Sequence, residues 1–216
     1  MTITERIIEI RKIVDKINPS AEIVAATKTQ DITAIRECMG TGSVVAAGEN
    51  RVQELMEKYT PEFRWDFIGR LQTNKVKYII GKVDLIHSLD RLSLAEQIEK
   101  ECKKTGIKQK VLIEINGGEE ENKGGINLNE LDSFLDELFA FSHIDVCGLM
   151  AVAPVDYTES QLKKVFDGIY EAYFKRKNPV FKYLSMGMSN DYEIALNCGA
   201  NIIRPGRVIF GERCYN

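Results

Sequence analysis

The feature that most constrains this chain is a repeated order. Short apolar, β-branched runs alternate with longer amphipathic runs at intervals of roughly 20 to 35 residues. A strand joined to the next strand through a helix pairs with it in parallel, so the order predicts an α/β fold built on a parallel sheet. Eight runs read as strands: 22–27, 43–47, 64–68, 82–86, 110–115, 144–149, 181–184 and 201–203. Helices are expected between them at 31–39, 51–59, 73–80, 92–104, 128–139, 159–175 and 191–197, with an extra N-terminal helix at 3–17. Eight strands alternating with helices favour a single (β/α)8 TIM-like barrel domain spanning 1–216. An open doubly wound sheet is the alternative, because periodicity does not report closure.

Local chemistry supports the element boundaries. Asp31 and Asn127 precede helical runs and suit N-caps. Gly40, Gly42, Gly106 and Gly199 follow helical runs and suit C-caps. Leu162, Val165, Phe166, Ile169, Tyr170 and Tyr173 recur at helical spacing as one apolar stripe.

In either architecture, function gathers where strand C-termini meet the following loops. Lys28, Asn50, Gly69, His87, Asn116, Met150, residues 185–189 and residues 204–207 are expected there. Lys28 follows the apolar run Ile23-Val24-Ala25-Ala26-Thr27 and is a candidate Schiff-base amine. Ser185-Met186-Gly187-Met188-Ser189 and Arg204-Pro205-Gly206-Arg207 offer backbone N–H groups to a phosphate. Taken singly, Lys28 reads as a solvated lysine and 204–207 as a charged turn. Taken together they ask for a ligand with an aldehyde at one end and a phosphate at the other, as in pyridoxal 5′-phosphate.

Composition removes other classes. The formal net charge is −3 and the pI about 5.6, so no overall positive field exists for nucleic acid or an anionic membrane. No apolar run approaches the roughly 20 residues of a membrane span. The N-terminus lacks the basic and apolar segments of a signal peptide, so a cytoplasmic location is expected. Cys38, Cys102, Cys147, Cys198 and Cys214 are odd in number with no CxxC pair, which suits reduced thiols. The first four are expected to pack as small apolar groups. His87 and His143 have no ligand-spaced companions, and no metal site is expected. The glycine-rich segment 116–125 lacks the order of a P-loop and reads as a mobile loop at the barrel mouth, a lid or an ordinary loop.

Several blocks in order then resemble one family. They are Ala26-Thr27-Lys28-Thr29, Gly48-Glu49-Asn50-Arg51-Val52-Gln53-Glu54, Phe67-Ile68-Gly69-Arg70-Leu71-Gln72-Thr73-Asn74-Lys75, His87-Ser88-Leu89-Asp90, Gly148-Leu149-Met150, Leu184-Ser185-Met186-Gly187-Met188-Ser189 and Ile209-Phe210-Gly211. From about residue 20 to its C-terminus the chain resembles the pyridoxal phosphate homeostasis proteins, single-domain relatives of the alanine racemase N-terminal barrel (PLP fold type III). The resemblance implies that Lys28 is the Schiff-base lysine, that Asn50 lies beside the ring and that Met150 lines the pocket. It further implies that Ser189 and the N–H groups of Gly206 and Arg207 hold the phosphate and that Arg204 faces the pyridine nitrogen. Two positions depart from the family pattern: Asp66 stands where histidine is usual, and Arg207 where Thr or Ser is usual.

Two functions follow, a carrier that holds and delivers the cofactor and a racemase or decarboxylase. Racemisation needs two bases on opposite cofactor faces, and the chain ends about ten residues after the phosphate loop, without room for the second domain that supplies one in alanine racemases. An arginine beside the pyridine nitrogen also weakens the ring as an electron sink. The carrier is therefore favoured. Its expected partners are the cofactor, apo-enzymes that use it and free amino acids, and a monomer is expected over a dimer.

Overall fold

The computed structural model of the chain describes residues 1–118 and 124–211. Helix α1 (Ile3–Ile17) precedes β1 (Glu22–Ala26), α2 (Ile32–Gly40), β2 (Ala46–Glu49), α3 (Val52–Lys58) and β3 (Trp65–Phe67). Then come α4 (Val76–Ile79), β4 (Leu85–Leu89), α5 (Leu92–Thr105), β5 (Gln109–Asn116), α6 (Leu131–Leu138) and β6 (Ile144–Val152). The chain continues through α7 (Glu159–Phe174), β7 (Tyr183–Ser185), α8 (Tyr192–Asn197), β8 (Ile202–Ile203) and α9 (Arg207–Phe210). The strands pair in parallel in chain order, and β8 returns to β1 through Glu22 with Ile202 and Ile23 with Ile203. The barrel is closed, and the open sheet is set aside.

The helix ends show why these segments fold locally. Thr2 and Glu5 form a capping box that starts α1, which buries Ile7, Ile10 and Val14. The Asp31 carboxylate accepts from the Ala34 N–H at 2.8 Å and starts α2. The N–H of Asn127 donates to Glu130 at 3.2 Å, ahead of a single 3₁₀ turn that leads into α6. Gly106 takes a left-handed φ of +69° and closes α5. Gly40 is instead the last residue of α2, and Gly42 takes the left-handed turn. In α7, Phe166, Ile169 and Tyr173 are buried, and Leu162, Val165 and Tyr170 pack beside them.

Strand alternation sorts the core into layers. Val24 and Ala26 point into the barrel with Ala46, Ile68, Leu85, Leu112 and Met150. Ile23 and Ala25 point outward against α1, α2 and α8. Full burial of an aliphatic side chain such as Ile23 or Val24 contributes about 1.5–3 kcal/mol.

Two strands are displaced from expectation. Strand β2 was expected at 43–47 and lies at Ala46–Glu49, and β4 was expected at 82–86 and lies at Leu85–Leu89. In both, polar residues read as loop are strand residues: Glu49, His87 and Ser88 are buried. Helix α9 was not foreseen; its Ile209 joins the cluster around α1, with Val208 and Phe210 packed against it. Cys38, Cys102, Cys147 and Cys198 are buried thiols, while Cys214 and residues 119–123 lie outside the described residues. Among the described residues, no helix is long and apolar enough to cross a membrane.

Candidate functional site

The alternation that sends Val24 and Ala26 inward brings Lys28 to the same side, at the C-terminal rim of β1. There Lys28 lines a cavity of about 580 Å³ with Ala26, Ser189, Gly206 and Arg207, and the end of β6 with the loop after it (Val152 to Val155) supplies an apolar wall. Residues nearly 180 positions apart meet because β8 pairs with β1. The N–H of Ala26 donates to the carbonyl of Pro205 at 2.9 Å, tying the loop after β8 to the strand that carries Lys28.

The turn around Lys28 is held from α3. The Thr27 hydroxyl donates to Glu49 at 2.8 Å, and the Lys58 ammonium donates to the Thr27 carbonyl at 3.1 Å and to Glu49 at 2.9 Å. The Thr29 N–H donates to Glu54 at 2.8 Å. Thr29 has a φ of +65°, an unfavourable conformation for a β-branched residue, and this N–H bond helps to keep it there. Burial raises the Glu49 carboxyl against the pull of Lys58. Burial also works to raise Glu54, but the Thr29 N–H and Lys58 outweigh it and hold Glu54 below its ordinary value.

At the other edge of the cavity, the Ser189 hydroxyl oxygen accepts from the N–H groups of Gly206 at 3.1 Å and Val208 at 3.4 Å. A Cβ at Gly206 would lie 3.1 Å from the Ala26 carbonyl oxygen and 3.2 Å from its Cβ. The exposed Arg207 guanidinium donates to the Asn190 side chain.

Arg204 and Met150 do not line this cavity. Met150 is buried in the barrel interior, and Arg204 is 2% exposed beneath the rim. The Arg204 guanidinium donates to the Ser185 hydroxyl oxygen and to the Ala151 carbonyl at 2.9 Å. Ser185 and His87 Nδ1 are 3.0 Å apart, and His87 Nε2 and Asp66 are 3.2 Å apart. Arg64 then grips Asp66 with two N–H groups, both at 3.0 Å. Burial lowers His87 despite Asp66, so the ring is neutral at pH 7. One arrangement satisfies every atom: Ser185 O–H donates to Nδ1 and Nε2–H donates to Asp66. Burial pulls Arg204 down to about 10, which leaves it cationic at neutral pH.

Asn50 directly follows β2 and lines a second opening rather than the first. Of the seven candidate residues, Lys28, Ser189, Gly206 and Arg207 thus share one cavity. Sequence reasoning missed the relay from Arg64 to Arg204 and the Glu49–Lys58 clamp. The only sequence signal for either was polar residues at strand parity, as in Asp66 and His87.

Glu114, on β5, is also unforeseen. Burial and the nearby Asp90 carboxylate push its carboxyl up to about 7. The folded chain then holds a proton that the unfolded chain has released between pH 4.5 and 7, so stability falls as pH rises through that window. Glu114→Gln is expected to stabilise the apo-protein at pH 8 by about 1–3 kcal/mol, a gain that fades towards pH 4.5. Urea unfolding at both pH values checks this, and an equal gain at both would refute the assignment.

The comparisons with known proteins agree with this fold. Residues 7–214 match the alanine racemase N-terminal domain family. A protein of Aquifex aeolicus named pyridoxal phosphate homeostasis protein is 43% identical over 208 residues, covering 90% of this chain and 88% of its own. The chain therefore belongs to the pyridoxal phosphate homeostasis protein family. PipY of Synechococcus elongatus, solved without PLP, superposes with a TM-score of 0.88 at 30% identity, covering 97% of this chain and all of its own. The same protein with PLP bound gives 0.84 at 29% identity, with the same coverage. An alanine racemase of Clostridium difficile, 14% identical with a TM-score of 0.71, covers 98% of this chain and 57% of its own, and shares the fold.

Proposed function

We propose that this protein binds pyridoxal 5′-phosphate through Lys28 and serves its intracellular homeostasis as a carrier, with little catalysis of its own. The observation that carries the reading is the meeting of Lys28 with Ser189, Gly206 and Arg207 around one cavity. About 580 Å³ is within the usual range for small-ligand pockets, roughly 300–1,000 Å³. When bound, the cofactor supplies an aldehyde that condenses with a lysine amine.

The chain's own groups suit the parts of such a ligand. Ser189 and the backbone N–H groups at 206 and 207 would hold the phosphate, the Gly206 N–H turning to it from the Ser189 hydroxyl oxygen. The apolar residues from Val152 to Val155 would cover one side of the ring. Asn50 would stand beside the ring, since it lies two residues past Gly48 as Lys28 lies two past Ala26, the partner of Gly48. Met150 packs beneath. Arg204 spends two of its five N–H donors on Ser185 and Ala151, which leaves donors that would serve the pyridine nitrogen of a bound cofactor. A cation there keeps that nitrogen unprotonated and weakens electron withdrawal by the ring. The whole chain acts as one domain, a monomer in the cytoplasm, and hands cofactor to apo-enzymes.

Incubation of the loaded protein with L-alanine in deuterated water tests the carrier against the racemase. Slow or absent α-proton exchange, together with cofactor transfer to an apo-enzyme, is expected. Exchange with inversion at the enzyme scale of about 1–10³ s⁻¹ would establish the racemase instead.

A further inference from the structure

The turn that carries Lys28 runs against residue preference. The Gln30 N–H donates to the Thr27 carbonyl at 3.0 Å, which makes residues 27–30 a β-turn with Lys28 second and Thr29 third. A φ of +65° at the third position marks a type II turn, where glycine is usual and a β-branched residue is strained. Among the described residues, Thr29 is the only one other than glycine with a left-handed φ. A type I turn suits threonine, and flipping the peptide between the second and third residues converts one type into the other. Here that peptide joins Lys28 to Thr29, and its N–H is the group that Glu54 holds at 2.8 Å. Glu54 lies in the first turn of α3 and accepts from Lys58, one helical turn on, at 3.1 Å. The same ammonium holds the Thr27 carbonyl at 3.1 Å, so both ends of the strained segment are tied to one helix. The flip would swing the Lys28 ψ by about 150°, and the rotamers open to a side chain depend on its backbone angles.

We infer that Glu54 is a positioning residue for covalent attachment at Lys28, acting by holding the peptide between Lys28 and Thr29 in its strained form. This role rests on the attachment proposed for Lys28. Attachment joins the Lys28 nitrogen to the aldehyde carbon, and the aldehyde oxygen leaves as water. Bond formation between two held groups is steeply sensitive to misplacement. The loops proposed to hold the phosphate are fixed separately, through the bonds of Ser189 to the N–H groups of Gly206 and Val208. Glu54 therefore serves the covalent bond and not the phosphate. A charge-assisted hydrogen bond and a strained residue in the left-handed region are of comparable energy, so one such bond suffices to hold the turn.

Equilibrium binding to the full chain is the test, with pyridoxal 5′-phosphate set against pyridoxine 5′-phosphate, which has an alcohol in place of the aldehyde. Glu54→Ala should weaken the aldehyde by about tenfold or more, the scale of a lost charge-assisted hydrogen bond, and leave the alcohol within about twofold. Glu54→Gln keeps an oxygen for the Thr29 N–H and should lose less. Glycine takes a positive φ unaided, so in a Thr29→Gly background the same Glu54→Ala change should cost less than about threefold. The Thr29 side chain is exposed, so that background removes no core packing. Equal weakening of both ligands by Glu54→Ala would make Glu54 a purely structural residue and overturn the inference. An undiminished loss in the Thr29→Gly background would overturn the turn as its route. Lys28→Ala should remove the difference between the two ligands. A difference that survives there refutes the role of Lys28, whereas its loss there with full retention in Glu54→Ala refutes the role of Glu54 alone.

Discussion

Replacement of Lys28 by alanine is expected to abolish covalent attachment of pyridoxal phosphate. The reconstituted protein should absorb near roughly 420 nm, as a cofactor joined to a lysine amine does. Borohydride should then fix the cofactor's mass to the peptide containing Lys28. The reasoning rests on position, because the chain has many other lysines on its surface. Lys28 is in phase with the inward row of β1, lines the cavity, and sits between two residues clamped by Glu49, Glu54 and Lys58. A Lys28→Ala protein that keeps the absorbance, with a different lysine labelled, would show the assignment to be wrong.

Gly206→Val should cause the second large loss. The Cβ alone would press to 3.1 Å on the Ala26 carbonyl oxygen, and the added methyls would intrude on the cavity that Gly206 lines. Overpacking of this kind costs about 1–3 kcal/mol, roughly five- to 150-fold if it falls on the bound state, before any lost phosphate contact is counted. Ser189→Ala should cost about 1–3 kcal/mol of cofactor binding, the scale of a charged acceptor left one partner short. Arg207→Thr should change affinity little, since the guanidinium is turned to Asn190 and the backbone N–H is retained. Equilibrium binding of the cofactor to the three variants gives the order directly. A tenfold loss in Arg207→Thr would make that side chain a principal phosphate ligand.

The candidate site was legible in part, for identifiable reasons. Lys28 stood out because an apolar strand leads straight into it, and Ser189 and Gly206 because serine and glycine crowd two short loops. Asp66, His87 and Ser185 look in sequence like ends of strands or members of loops, yet they form a buried relay to Arg204. Only partners on three other strands make such groups tolerable in a barrel interior. The clamp on Thr27 and Thr29 was hidden in the same way, since Glu49, Glu54 and Lys58 read as ordinary helix and loop charges.

By itself the sequence determined the number and order of strands, the parallel sense of the sheet, the start of α1 and α2, and which face of α7 is buried. Those properties rest on periodicity and on hydrogen bonds between residues three or four apart, which the order of residues records directly. Closure was decided by the tertiary structure, because pairing of β8 with β1 is a contact between chain ends that no local pattern encodes. Closure in turn set Lys28 against Ser189 and Gly206, placed Asn50 in a separate opening, and buried Arg204 beneath the rim. Burial and charge separation depend on distance in space, and they decided which polar residues face a ligand and which hold the barrel together.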